Sequence, residues 1–136
     1  KELIQYLVKA SGHGTNLLLN VGPMPNGKIQ SNHISSLKEI GNWLTKNGET
    51  IYSTSKGPIL PTEEYVSTQK QNKIYLHIIN PKKNILFIDS FTKRIKKIKY
   101  FDSNEKVTYN QNKFGLIIDL SNKNINPIDT IIEIEL

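Results

Sequence analysis

The chain is 136 residues long, 37% apolar, free of cysteine and formally +6 at neutral pH. That length admits one domain, or a small domain joined to a piece of another. Disulfides and thiolate metal sites are excluded, and no apolar run approaches the roughly twenty residues a membrane-crossing helix takes.

In chain order, Lys1 to Ala10 carries Leu3, Ile4, Leu7 and Val8 at helical spacing on one face. Nothing ahead of Lys1 caps this helix, so Lys1 reads as an internal point of a longer polypeptide. Gly12 and Gly14 supply a stop signal, and Leu17-Leu18-Leu19 follows, ending abruptly at polar Asn20. Consecutive apolar residues without alternation predict a parallel strand over Asn16–Val21, buried on both faces. Pro23, Pro25 and Asn26-Gly27 predict a loop with tight turns. A second helix is predicted from Ser31 to Asn47, with Ile34, Leu37, Ile40, Trp43 and Leu44 spaced by three and four. Gly41 inside it predicts a close helix contact.

Helix, buried strand, helix is the closing portion of a βα-repeat protein. A lone parallel strand needs neighbours on both sides to satisfy its backbone groups. A full (β/α)8 barrel takes roughly 250 residues, so the missing neighbours are expected upstream of this chain.

From Ile51 onward the pattern changes. Strands are predicted at Lys73–Ile79, Ile85–Ile88, Ile95–Phe101, Lys106–Tyr109, Phe114–Leu120 and Thr130–Leu136, separated by polar turns. Such spacing predicts an antiparallel β-sandwich. In the last segment Ile132, Ile134 and Leu136 face one way, and Glu133 and Glu135 are expected on the solvent face. The expected division is residues 1–52 as the incomplete end of a barrel and 53–136 as the sandwich. The short junction near Ser53 to Lys56 predicts tight packing between them.

The positive charge concentrates at Lys93-Arg94-Ile95-Lys96-Lys97-Ile98-Lys99. Two readings stand side by side: a lysine-guarded strand edge, and a polyanion-binding patch. With one Arg in the whole chain and no nucleic-acid motif, nucleic acid is not an expected partner.

Asn16-Leu-Leu-Leu-Asn-Val-Gly-Pro23, Asn26-Gly27, Ile29, Leu37, Ile40-Gly41, Trp43-Leu44, Asn47-Gly-Glu49 and Ile51-Tyr52 together resemble the C-terminal part of α-L-fucosidases of glycoside hydrolase family 29. The likeness is dense over residues 14–54 and loose beyond them. Asn26 stands where that family usually has Asp.

The resemblance implies a (β/α)8 catalytic barrel followed by a β-sandwich, and retaining hydrolysis of terminal α-L-fucose. It implies a catalytic Asp on a middle barrel strand and an acid/base residue, both upstream of this chain, which leaves no catalytic residue here. Neither a cofactor nor a metal is expected. The expected partners are a fucosylated glycan, bound through the parent barrel, and the missing N-terminal barrel portion of the same polypeptide. The resemblance favours a secreted, periplasmic or lysosomal-type address.

Of the residues present, Asn20 is the candidate substrate-binding residue. It ends the predicted strand where barrel enzymes place their chemistry, and its amide both donates and accepts, as a sugar hydroxyl requires. Its alternative role is to tie down the following loop through backbone amides. Trp43 reads as core packing between helix and sandwich, with sugar stacking as the alternative. Glu63, Glu64, Asp102, Glu105, Glu133 and Glu135 read as surface or turn carboxylates, and His13, His33 and His77 as structural. Tyr65, Tyr75, Tyr100 and Tyr109 are candidates for a glycan platform, should the sandwich be an accessory carbohydrate-binding module instead of a structural brace.

Overall fold

A computed structural model describes all of residues 1–136. Two helices, α1 (Glu2–Gly12) and α2 (Ser31–Asn47), precede eight strands. The strands are β1 (Ser55–Lys56), β2 (Tyr65–Lys70), β3 (Lys73–Ile78), β4 (Ile85–Asp89), β5 (Lys97–Tyr100), β6 (Thr108–Asn112), β7 (Gly115–Asp119) and β8 (Thr130–Glu135). They form two sheets, one of order β1-β2-β3-β8-β5 and one of order β4-β7-β6. Every strand pairing in both is antiparallel.

The two sheets face each other over one apolar core. Ile74, Leu76 and Ile78 of β3, Ile132 and Ile134 of β8, and Leu86, Ile88, Leu116 and Ile118 of the smaller sheet meet there. The opposite face of the larger sheet is also covered. Val66, Tyr75, Ile79 and Ile131 meet Ile4 and Val8 of α1 and Trp43 of α2 in a second buried cluster. The molecule therefore has three layers: helices, a five-stranded sheet and a three-stranded sheet.

The predicted sandwich forms, and Trp43 is the buried packing residue between helix and sheet. Glu2 in the first turn of α1 and Lys9 in its last turn oppose the helix dipole. The helix ends in a Schellman arrangement: Thr15 N–H donates to the Ala10 carbonyl and Gly14 N–H to that of Ser11, both at 2.9 Å. Gly14 supplies the left-handed residue this requires, at φ 74°.

Several expectations are corrected. Residues 15–22 form no strand, and Leu17, Leu18 and Leu19 are exposed by 39%, 85% and 39%. No neighbouring strand runs beside them, so no hydrogen-bond ladder closes. The stretch ends in a small antiparallel bridge between Pro23 and Ile29.

A Cβ placed on Gly41 would meet nothing within 4 Å. The close approach lies instead at Gly12, where a Cβ would fall 2.5 Å from that of Val66, so the missing side chain is what lets α1 reach β2.

Strand β2 was not anticipated, because Tyr65-Val-Ser-Thr-Gln-Lys70 ends in polar residues. Ser67 and Thr68 are nonetheless fully buried, their hydroxyls donating to the carbonyls of Ile59 and Thr50.

Glu133 does not face solvent. It is 5% exposed, on a strand interior to the sheet, with Lys73 at 3.3 Å and Lys99 at 3.6 Å on either side.

Because the Gly12 contact is so short, Gly12→Ala should destabilise the fold by about 1–3 kcal/mol through overpacking. Urea unfolding followed by Trp43 fluorescence measures this, and unchanged stability would mean that α1 can shift away freely.

Candidate functional site

The candidate substrate residue lies in the loop between α1 and α2. Asn20 is solvent-exposed there. The loop closes through Met24 N–H to the Lys28 carbonyl and Gly27 N–H to that of Met24, both at 2.8 Å. Asn26, not Asn20, supplies the side-chain tie, accepting from Lys28 N–H at 3.1 Å. Asn20 is thus left facing outward beside the exposed leucines.

The chemistry-bearing side chains elsewhere are already engaged. Glu63 pairs with Lys82 at 3.3 Å, and Glu64 accepts from the Lys82 backbone N–H at 2.8 Å. Asp102 and Glu105 both hold Lys123, at 3.4 and 3.0 Å. Hydrogen bonds from Lys123 and Ser103 hold the Glu105 carboxyl below the usual glutamate range. Burial works against the Lys123 ammonium, but its bond to Glu105 and the charge of Asp102 outweigh burial and raise its pKa.

The four tyrosines do not make a platform. Tyr65, Tyr75 and Tyr100 are at most 8% exposed, which leaves Tyr109 alone on the surface at 41%. Tyr75 crosses Phe101 edge-on at 5.8 Å and donates to Glu49 at 2.7 Å. Burial, then that hydrogen bond, pushes its hydroxyl pKa well above the ordinary tyrosine value.

His13 lines a polar cleft of about 430 Å³ with Ser11, Thr15, Asn16, Ser55 and Lys56. His33 is half-buried, its Nδ1 without a partner.

His77 belongs to the one constellation that sequence reasoning did not assemble. Its Nδ1 lies 2.7 Å from Asp129 Oδ2, and its Nε2 lies 3.4 Å from Thr68 Oγ1. Carboxylate, imidazole and hydroxyl in that order match the layout of acyl-transfer triads. Here the side chains of His77 and Asp129 are wholly buried, and the Thr68 hydroxyl is committed to the Thr50 carbonyl at 2.6 Å. No substrate reaches it. The network ties the turn after α2 to β2, β3 and the start of β8.

Removing one partner from such a buried pair strands the other. Asp129→Ala should therefore cost about 3–5 kcal/mol of stability in urea melts. A loss below about 1 kcal/mol would show that the pair is dispensable.

With this geometry in view, the relatives are informative. The family model of α-L-fucosidase matches residues 1–49. The human plasma α-L-fucosidase is 35% identical over 80 residues, covering 55% of this chain and 17% of that protein. The α-L-fucosidase of Dictyostelium discoideum is 50% identical over 54 residues, covering 40% of this chain and 12% of the relative.

Among solved structures, α-L-fucosidase isoenzyme 1 from Paenibacillus thiaminolyticus superposes with a TM-score of 0.87 at 25% identity, covering 99% of this chain and 34% of that one. The α-L-fucosidase from Vibrio sp. strain EJY3 gives 0.82 at 30% identity, covering 99% and 25%. The chain spans at most about a third of the length of these relatives. By sequence over its first segment and by fold over nearly all of its length, the chain is similar to the C-terminal portion of α-L-fucosidases.

Proposed function

We propose that this chain is the C-terminal part of a retaining α-L-fucosidase that removes terminal α-L-fucose from glycans. Residues 1–52 are the end of its (β/α)8 barrel and residues 53–136 the sandwich that braces it. The observation that carries this reading is the bare apolar surface of the family-matching segment. Leu17, Leu18, Leu19, Ile29, Ile34 and Leu37 are all exposed, although each is a residue type that cores absorb. Upstream barrel strands and helices are the natural cover, and they give residues 16–21 the ladder partners that this chain lacks.

The reaction needs two carboxyl groups about 5–5.5 Å apart, one as nucleophile and one as acid then base. Glu63, Glu64, Asp102, Glu105, Glu133 and Glu135 are each held by a lysine or an amide, so the reading puts the catalytic pair upstream. Asn20, at the rim where barrel chemistry sits, lines the pocket and bonds a sugar hydroxyl. An accessory role for the sandwich built on an aromatic glycan platform is the weaker reading, because the tyrosines that could form it are mostly interior.

The test is hydrolysis of a chromogenic α-L-fucoside by the complete polypeptide and by its Asn20→Ala variant. The polypeptide should turn over the fucoside, and the variant should lose about tenfold or more in kcat/KM, the worth of one hydrogen bond to substrate. No turnover by the intact polypeptide rejects the function. Unchanged turnover in a folded variant rejects the role of Asn20 alone.

A further inference from the structure

We propose that the open edge between β5 and β6 is a docking groove for a sulfated glycan chain. The proposal rests on the reading of the polypeptide as a glycan-processing enzyme, and it extends that reading to the charge its substrate carries.

Strand β5 is the last in its sheet, and its free edge meets the chain beyond only at a single bridge, Lys99 to Lys106. A groove of about 310 Å³ opens there, lined by Lys96, Lys97, Lys99, Lys106, Asn104 and Tyr109. Four lysines from two separate segments thus line one depression, and Lys99 also bonds Asn104 within it.

The anions in the neighbourhood do not neutralise this set. Glu133 is shared between Lys99 and Lys73. Glu135 stands opposite Lys97 in register and is bonded to the Asn72 amide at 3.4 Å. Glu105, next to Lys106, is held by Lys123. Lys96 donates to the Leu136 carbonyl at 2.8 Å, and Lys97 and Lys106 make no ion pair.

Edge protection accounts for lysines along β5. It does not account for Lys106 arriving from the other side, nor for an exposed tyrosine in the same groove. Unpaired like charges held together repel, and a polyanion relieves that repulsion while releasing its counterions.

Lysine suits sulfate esters that vary in position along a chain, because each ammonium is a mobile point charge and not a planar fork. Tyr109 offers a ring face for a pyranose, as its 41% exposure permits. A nucleic acid would call for several stacking aromatics and arginines. This groove has one aromatic, and the chain has one Arg.

The experiment is calorimetric titration of the protein with a heparin octasaccharide, a desulfated octasaccharide and a single-stranded DNA of equal charge. The sulfated chain should bind, with affinity falling as salt rises, and the desulfated chain should not. The double variant Lys97→Gln/Lys106→Gln should lose about tenfold or more in affinity. Lys83→Gln/Lys113→Gln, which removes the same charge outside the groove, should lose less than about twofold.

Absence of binding to the sulfated chain, equal losses in both variants, or DNA binding as tightly through the same lysines each overturns the proposal. Circular dichroism confirms that the variants are folded. Chromogenic fucoside hydrolysis by the complete polypeptide is read separately and should be unaffected by Lys97→Gln/Lys106→Gln. A failed groove and a failed fucosidase reading are therefore told apart.

Discussion

The structure depends on a sheet that is dry on both faces. Strand β3 is its axis: Ile74, Leu76 and Ile78 turn into the sandwich while Tyr75, His77 and Ile79 turn toward the helices. Strand β8 repeats the division, with Ile132 and Ile134 on one side and Ile131 and Glu133 on the other. Because both faces are buried, polar groups on these strands must be satisfied from within the protein. That constraint explains why the helix-side polar residues come with partners of their own, His77 on Asp129 and Glu133 between two lysines.

The helical layer is joined to the sheet without a flexible connection. Gly12 lets α1 settle against Val66, Trp43 anchors α2, and the Thr68 hydroxyl fastens to the turn that follows α2. The joined layer is half-clad. The sheet side of the helices is buried, while the apolar positions from Leu17 to Leu37 lie open. A surface of that kind is stable in water only at a cost, and under the proposed function a catalytic body would rest on this face. The far edge of the sandwich is rich in lysine.

Sequence reasoning was most reliable where hydrophobic period and turn chemistry agreed. Helix α2 has the predicted bounds, Ser31 to Asn47, because its apolar residues keep the spacing by three and four, although Gly48 beyond it stays right-handed and leads into a 3-10 turn. Strands β3, β5, β7 and β8 fall within their predicted segments, and β4 runs one residue past its own, because apolar residues cluster between polar turns. Strand β2 escaped notice because its buried faces use Ser67 and Thr68, whose hydroxyls are satisfied by carbonyls distant in sequence. The same cause hid the Thr68–His77–Asp129 network, whose members are separated by 9 and 52 residues.

The chain by itself determined its element types, its sandwich class and its kinship, since these rest on local period, turn residues and a dense motif over residues 14–54. Which apolar run becomes a doubly buried strand was decided only in three dimensions. Leu17-Leu18-Leu19 and Ile74 to Ile79 both read as such, yet one stands bare and the other is the axis of the molecule. A strand exists only when neighbours complete its hydrogen bonds, and no property of its own residues can state whether they are there.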